Sequence, residues 1–531
     1  MQRRYVSLAW FSLAAIAWEP PLRAQCQLDK LTAADAAAQS RFGETVVLEG
    51  DTALCGAPFE DSQGFNAGAV YVFVRDAAGF AQTQKLTAAD AVTQDRFGTG
   101  LALSGDTAIV GSPLDDDAGS GSGSAYVFER SPANFAQTQK LLASDAAASD
   151  RFGSAAALSG DTAIVGALDD ADGGLGSGSA YVFERGPGGF AESQKLTASD
   201  ADAFDFFGTA VALDGDTAVV GAAQDDDGGV DSGSVYVFER GPAGWVETQK
   251  LTAADGADGD VFGTSVAVHG DLVAVGSDQN GPGAVYVHER TPSGWAQVAK
   301  LVAADGADQD QFGTSVSLSG EVVLVGASAD DDAGSLSGSA YLFERGPAGW
   351  VQTQKLVSTD LQLQDRFGWD VALDGDQALV GAPLSDDAGS LSGSAYTFRV
   401  FGLCAAPGSL SIGTGGTQDF ALRAGIGHAL QVYVLLGSAS GTAPGTPVDG
   451  VVLPLVADGY FTFTLQNPNH PRLAGSLGNL DALGQATADL TVSPGLDPGL
   501  AGVQVHHAFA AIDGIPLVVY ASNAVALTLV P

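Results

Sequence analysis

The chain has 531 residues, 71 of them Gly and 21 Pro, with 45% hydrophobic residues, 8% aromatics, three Cys and one Met. That length exceeds one ordinary domain and that glycine content disfavours a helical protein, so two domains built of strands and turns are expected. Its 23 Lys and Arg against 63 Asp and Glu give a formal charge of −40, which argues against a nucleic-acid binder, while the hydrophobic share argues against wholesale disorder.

Residues 1–24 read as an export signal. Arg3 and Arg4 form a short positive region, Tyr5 to Trp18 is apolar, and Leu22-Arg23-Ala24 offers a small residue for cleavage, with Ala17 as the other candidate. No later stretch of about 18 uncharged apolar residues follows. The expected product has no transmembrane segment and is secreted, held at the cell surface or kept in the periplasm.

Internal repetition sets the fold expectation. Phe-Gly pairs begin at Phe42, Phe97, Phe152, Phe207, Phe262, Phe312 and Phe367, at spacings of 55 residues with a single 50. Each unit contains four β-rich runs separated by Gly, Ser, Asp and Pro: strand A from the Phe-Gly, strand B ending Gly-Ala or Gly-Ser, strand C around a repeated Tyr, and strand D ending Lys-Leu. All seven lysines, Lys30 to Lys355, hold one place in the unit. A lone four-stranded meander cannot bury both faces, but seven around an axis can, so residues 25–401 are expected to form a seven-bladed β-propeller.

The ends of this region suggest how the ring closes. Gln27-Leu28-Asp29-Lys30-Leu31 is a D strand with no A, B or C before it, and the seventh unit stops after Ala395-Tyr396-Thr397-Phe398 without one. The N-terminal strand is therefore expected to complete the last blade. Cys26 and Cys404 align with positions flanking the C–D turn of an ordinary blade, where a disulfide would replace the missing turn; the alternative is two unrelated thiols. Cys55 aligns with valines of strand B and reads as a packing residue.

The Phe-Gly pairs, Gly56-Ala57-Pro58, Gly381-Ala382-Pro383 and the "G-x-A/V-Y-V-F" strand resemble the FG-GAP repeat, the blade unit of the integrin α-chain propeller and of many exported bacterial proteins. The resemblance implies extracellular adhesion or ligand binding, often with calcium. The calcium loop that integrin-like blades carry between strands A and B is missing, because that connection is here a tight turn such as Ser104-Gly105-Asp106.

Acid collects instead in the B–C loops and D–A connections, which emerge on one face of an antiparallel meander. That face is expected to be strongly acidic, either as a solvated surface or as a Ca²⁺ site, for which Asp225, Asp227 and Asp231 with Asp255, Asp258 and Asp260 have the best local density. No nucleophile elbow, zinc-type spacing or phosphate loop is present. His269 and His288 belong to the irregular fifth unit, and His506 and His507 point to opposite faces of one strand.

Beyond Ala405 no Lys remains. Ala429–Gly437, Gly450–Val456, Tyr460–Leu465, Ala486–Val492, Val503–Phe509 and Val525–Val530 read as strands of a β-sandwich spanning 405–531. The expected protein is all-β, monomeric and non-enzymatic, and it binds an extracellular protein or glycan. A lectin-like propeller with glycans between blades is the alternative, followed by a hydrolase that uses loop carboxylates.

Overall fold

The computed structural model describes residues 26–531 except 133, 406–408, 412–415, 449–450, 493, 495–500, 502, 514–516 and 531, so residues 1–24, expected to be an export signal, lie outside the described residues. Blades are numbered by their Phe-Gly pairs, from Phe42 (blade 1) to Phe367 (blade 7). In blade 3 the strands are A Phe152–Ser159, B Thr162–Ala167, C Ser179–Gly186 and D Gly189–Leu196, joined in the antiparallel order A-B-C-D. The same order recurs in blades 1, 2, 4, 5 and 6. Strand B is buried along its length because both of its faces carry apolar side chains that meet neighbouring blades. The core accordingly lies between blades: Ile109, Val127 and Leu141 of blade 2 form one cluster with Phe152, Val165 and Tyr181 of blade 3.

The Phe-Gly pair ties each blade to the one before it. The Phe97 ring packs edge-on against Tyr126 and Phe128 of its own blade, at 5.5 and 5.8 Å, while its backbone N–H donates to Ala67 O of blade 1 at 2.9 Å. The following glycine allows the close approach. A Cβ on Gly111 of strand B would run into the carbonyl of Gly153, the Phe-Gly glycine of the next blade, and the same pairing of glycines recurs at every junction, including Gly381 against Gly43.

Polar side chains add further links between blades. Gln139 donates to Phe190 O at 2.6 Å and accepts from Phe190 N at 2.8 Å, clamping strand D of blade 2 to strand D of blade 3. On the inner rim, the A–B turn glycine donates to a side chain of the preceding turn, as Gly160 N does to Ser104 Oγ at 3.2 Å and Gly270 N to Asp214 Oδ2 at 2.6 Å. His269 occupies this acceptor position in blade 5.

Blade 7 is completed by the N-terminal strand. Gln27–Leu31 pairs antiparallel with Ser394–Arg399, setting Lys30 opposite Tyr396. Cys26 and Cys404 form a disulfide across 378 residues with Cα atoms 5.6 Å apart, and Cys55 is buried and free. On the axial side the Asp370 carboxylate accepts from Val46 N at 2.7 Å and Asp374 accepts from Gly50 N at 2.6 Å.

A C-terminal pair of sheets follows the blades. One contains Gly416–Arg423 and Gln485–Val492, and the other contains Val432–Ser438, Gln504–Asp513 and Val525–Val530. Phe420, Leu422, Leu435, Leu490, Phe509 and Leu527 bury the space between them, so the unit is a β-sandwich.

One expected strand is not a strand. Gly459–Gln466 is an α-helix, because Asp458 caps it by accepting from Phe461 N at 2.8 Å, and Phe461 and Thr464 bury one face at a spacing of three. The alternation of aromatics and β-branched residues there imitates β periodicity.

The sandwich docks on blade 6 at the end bearing the A–B and C–D turns. Ile426 N donates to Glu344 Oε2 at 2.8 Å, and the Arg423 guanidinium donates to Gln354 Oε1. Among the described residues no helix is long and apolar enough to cross a membrane.

Deleting residues 25–32 removes an outer strand and the cross-link together, whereas Cys26→Ser with Cys404→Ser removes only the cross-link, worth at most about 6 kcal/mol of chain entropy. Calorimetry is expected to give a lower, less cooperative transition for the deletion and a lower but still single transition for the serine pair. An unchanged melting profile for the deletion would contradict this closure.

Candidate binding face

On the face where B–C loops and D–A connections emerge, every blade places its lysine against at least one carboxylate, and most blades against two or three. In blade 3 the Lys195 ammonium lies 2.8 Å from Asp145, 2.9 Å from Asp170 and 2.6 Å from Asp172. The Tyr181 hydroxyl donates to Asp170 at 2.6 Å and to Asp145 at 2.8 Å, with its ring 5.0 Å from the ammonium. Lys140, Lys250 and Lys355 repeat the arrangement with Asp90, Asp115 and Asp117, with Asp200, Asp225 and Asp227, and with Asp305, Asp330 and Asp332. Lys85 meets Asp35 and Glu60, Lys30 meets Asp360 and Asp387, and Lys300, in the shortened blade 5, meets Asp255.

The electrostatics follow from this caging. Burial disfavours the Lys195 ammonium, but hydrogen bonds to the three carboxylates outweigh it and raise its pKa. For Asp145, burial pushes upward and is outweighed by Lys195 and Tyr181, so its pKa is lowered. The Tyr181 phenol is pushed up, first by burial and then by its acceptors Asp170 and Asp145.

The six carboxylates singled out in the sequence as one calcium set are divided among separate partners. Asp225 and Asp227 face Lys250, and Asp255 faces Lys300 of the next blade. Asp258 accepts from Val230 N at 3.1 Å, and Asp260 accepts from Ala257 N and from the Asn280 amide. Asp231 has a left-handed backbone (φ 51°), and its N–H donates to Asp226. The adjoining loops bring Asp200, not Asp255, to Asp225 and Asp227. Carboxylates do converge as a cation site requires, in groups such as Asp145, Asp170 and Asp172. The lysine ammonium sits among them, so a Ca²⁺ ion in that position does not fit without displacing it.

A second buried acid shapes each D–A connection from the second blade onward. Asp205 accepts from Asp202 N at 2.6 Å, closing a turn that delivers Phe207 to its pocket. Burial, reinforced by the nearby Asp225 charge, pushes its pKa up to about 6. Asp95 is pushed up to about 6 in the same way, with Asp115 as the neighbouring charge.

The axial mouth of this face is lined by the residue preceding each Phe-Gly. These are Arg41, Arg96, Arg151, Phe206, Val261, Gln311 and Arg366, all in the left-handed region with φ between 48° and 58°. Four consecutive blades, 7, 1, 2 and 3, thus present arginine. The guanidiniums of Arg41 and Arg96 lie 4.3 and 4.6 Å from the Phe59 ring, Arg151 pairs with Asp169 at 2.8 Å, and Arg366 donates to Gln311 Oε1 at 2.7 Å. A recess of about 630 Å³ beside this arc is lined by Arg151, Leu168, Phe206, Gln224, Val261 and Gln279, among others.

Large apolar side chains stand at the loop tips around the mouth: Phe65, Val92, Leu175, Phe204, Val230 and Leu363 are each more than half exposed. The face is therefore not uniformly acidic. About half of its carboxylates contact lysines, its tips are apolar and half of its mouth is cationic. The sequence carries a signal for this in the Arg-Phe-Gly triplets at Arg41, Arg96, Arg151 and Arg366, which Phe-Gly spacing alone does not reveal.

The histidines fall elsewhere. His288 is buried against Phe262, and burial lowers its pKa to about 4. His507 is buried in the sandwich, where its Nε2 is 2.9 Å from the Tyr460 hydroxyl.

Two variants test the cages and turns. Lys250→Met leaves the buried Asp225 without its cation and is expected to lower stability by about 3 kcal/mol at pH 7 in urea titration. CaCl₂ and NaCl at matched ionic strength should shift wild-type melting equally, and only Lys250→Met should gain from Ca²⁺ specifically. For Asp205, folding raises the pKa, so its favourable contribution exists at low pH and is lost as pH rises from about 4 toward about 6. Asp205→Asn keeps an acceptor for Asp202 N without the charge. It is expected to melt above wild type at pH 7.5, with the difference disappearing near pH 4.

The FG-GAP repeat family matches residues 26–73, 80–128, 135–183, 190–238, 245–288, 295–343 and 350–398, together more than half of the chain. No curated protein matches it. Among solved structures, Sqt1 of Chaetomium thermophilum is similar at 14% identity with a TM-score of 0.40, over 68% of this chain and 84% of that one. Each of the seven matched stretches runs from strand D of one blade through strands A, B and C of the next, seven stretches for seven blades, and the chain belongs to the FG-GAP repeat family.

Proposed function

We propose that this chain is an exported, non-enzymatic binding protein whose role is adhesion to an extracellular protein or glycan, and that it engages its partner with the B–C and D–A face. The observation that carries this reading is where the seven repeats agree and where they differ. The caged lysines, the buried Tyr and the Phe-Gly recur in every blade, whereas the mouth position changes from Arg to Phe, Val and Gln around the ring. A rigid repeated frame with an asymmetric centre suits recognition, since structure asks for sameness and a ligand for difference.

The exposed apolar tips support the same face, as does the sandwich docking at the opposite end, which leaves the mouth open. Hydrolysis by loop carboxylates has less support. The D–A and B–C acids that could act as a pair are shared with a lysine and a tyrosine, or are committed to backbone N–H groups. Because the lysines already supply a cation to the loops, the proposed binding does not depend on calcium.

The test is the full chain on an array of glycans and extracellular-matrix proteins, in Ca²⁺ and in EDTA, beside a Leu175→Asp, Phe204→Asp variant. Saturable binding that persists in EDTA and weakens several-fold in the variant is expected. Binding unaffected by the variant would move the interaction off this face, and no retained ligand would contradict a binding role.

A further inference from the structure

We propose that the axial mouth is a binding site for an acidic glycan, one bearing carboxylate or sulfate groups, held by Arg366, Arg41, Arg96 and Arg151. This rests on the binding reading above and names the ligand chemistry of the same face.

Acids outnumber bases by 63 to 23 in this chain, and four arginines of strand C, Arg185, Arg240, Arg290 and Arg345, each contact a glutamate of the preceding blade, whereas Arg130 donates to the Thr52 hydroxyl. At the mouth, Arg41 has Glu44 at 3.6 Å and Arg151 has Asp169. Among the described residues no carboxylate lies within ion-pair distance of Arg96 or Arg366. Arg96 lies against Phe59, and Arg366 is satisfied only by a neutral amide. Arg130, Arg423 and Arg472 likewise have no ion pair among the described residues, and Arg96 feels the Glu44 charge from a distance, so what sets Arg96 and Arg366 apart is their place on one arc with Arg41 and Arg151. Both keep donors for an incoming oxyanion, and a guanidinium prefers a planar oxyanion that accepts two hydrogen bonds.

The arginines occupy four successive blades, so they form an arc that meets several anionic groups spaced along an extended ligand. The arc continues into the recess lined by Gln224, Gln279, Thr209 and Thr264, with Phe206 on its wall. Amides and hydroxyls beside an aromatic ring suit sugar hydroxyls and the apolar face of a pyranose. Directly adjoining this recess, and sharing Gln279, a second recess that also contains Arg366 is lined by Asp278, Asp308, Asp310 and Asp331. Their charge confines the ligand's anionic groups to the arginine arc. The acidic rim also disfavours polyanions everywhere but the mouth, which makes the site specific by exclusion.

The probes are a hexasaccharide of galacturonate, a heparin hexasaccharide, maltohexaose and a hexaglutamate peptide, titrated calorimetrically into the full chain. At least one acidic oligosaccharide is expected to bind with an affinity that falls as NaCl rises, while maltohexaose does not bind. Arg96→Gln and Arg366→Gln should each weaken binding about tenfold, Arg96→Lys should lose less than Arg96→Gln, and Arg472→Gln on the sandwich should bind as wild type. Melting curves establish that each variant is folded, and the two glutamine variants serve as replicas should one fail.

Wild-type affinity in both folded glutamine variants, binding of maltohexaose equal to the acidic sugars, or tighter binding of hexaglutamate than of either sugar would overturn the proposal. If the array yields a ligand whose binding ignores these arginines, the binding role stands and this site falls.

Discussion

At each blade junction, two glycine backbones touch. The penultimate glycine of strand B and the glycine after the next blade's Phe pack so closely that a single methyl group on the former would collide with the latter's carbonyl. Neighbouring blades can therefore lie near enough for Phe97 to bury its ring in one blade while its N–H is held by the previous one. Interiors tolerate small volume errors poorly, and backbone cannot yield as a side chain can. Seven such contacts turn separate sheets into a closed ring, and the rest of the molecule is arranged around them.

Rigidity at the junctions has a functional consequence at the loops. Each D–A connection must deliver its Phe-Gly into a fixed slot, so it runs alongside the preceding B–C loop and shares carboxylates with a lysine. The charge of each cage is only partly neutralised, three carboxylates to one ammonium in four of the blades, which leaves the rim acidic. The mouth position, by contrast, needs only a left-handed backbone and places no demand on side-chain chemistry. It is where the repeats diverge without disturbing the frame.

Much of this was legible in the sequence because repeats act as an internal alignment. The spacing of Phe42 through Phe367 located the blades, the orphan strand at Gln27–Leu31 pointed to the closure, and the offsets of Cys26 and Cys404 brought them to one turn. The site was less legible. Local density grouped Asp225 with Asp255, but contacts between loops of different sequence position decide that Asp200 joins Asp225 and that Lys250 fills the centre. The helix at Gly459–Gln466 was missed because a single capping aspartate outweighs an alternating pattern that reads as strand. The arginine arc is written in the sequence, but only the ring makes residues 41, 96, 151 and 366 neighbours.

The glycine contact is tested most directly by comparing Gly166→Ala with Gly188→Ala in chemical denaturation. Gly166 abuts Gly208 of the next blade, whereas Gly188, in a C–D turn, has open space around it. The account predicts a loss of about 2 kcal/mol or more for Gly166→Ala and a change within about 0.5 kcal/mol for Gly188→Ala. Equal stability of the two variants would contradict the claim that close backbone contact between glycines closes the ring.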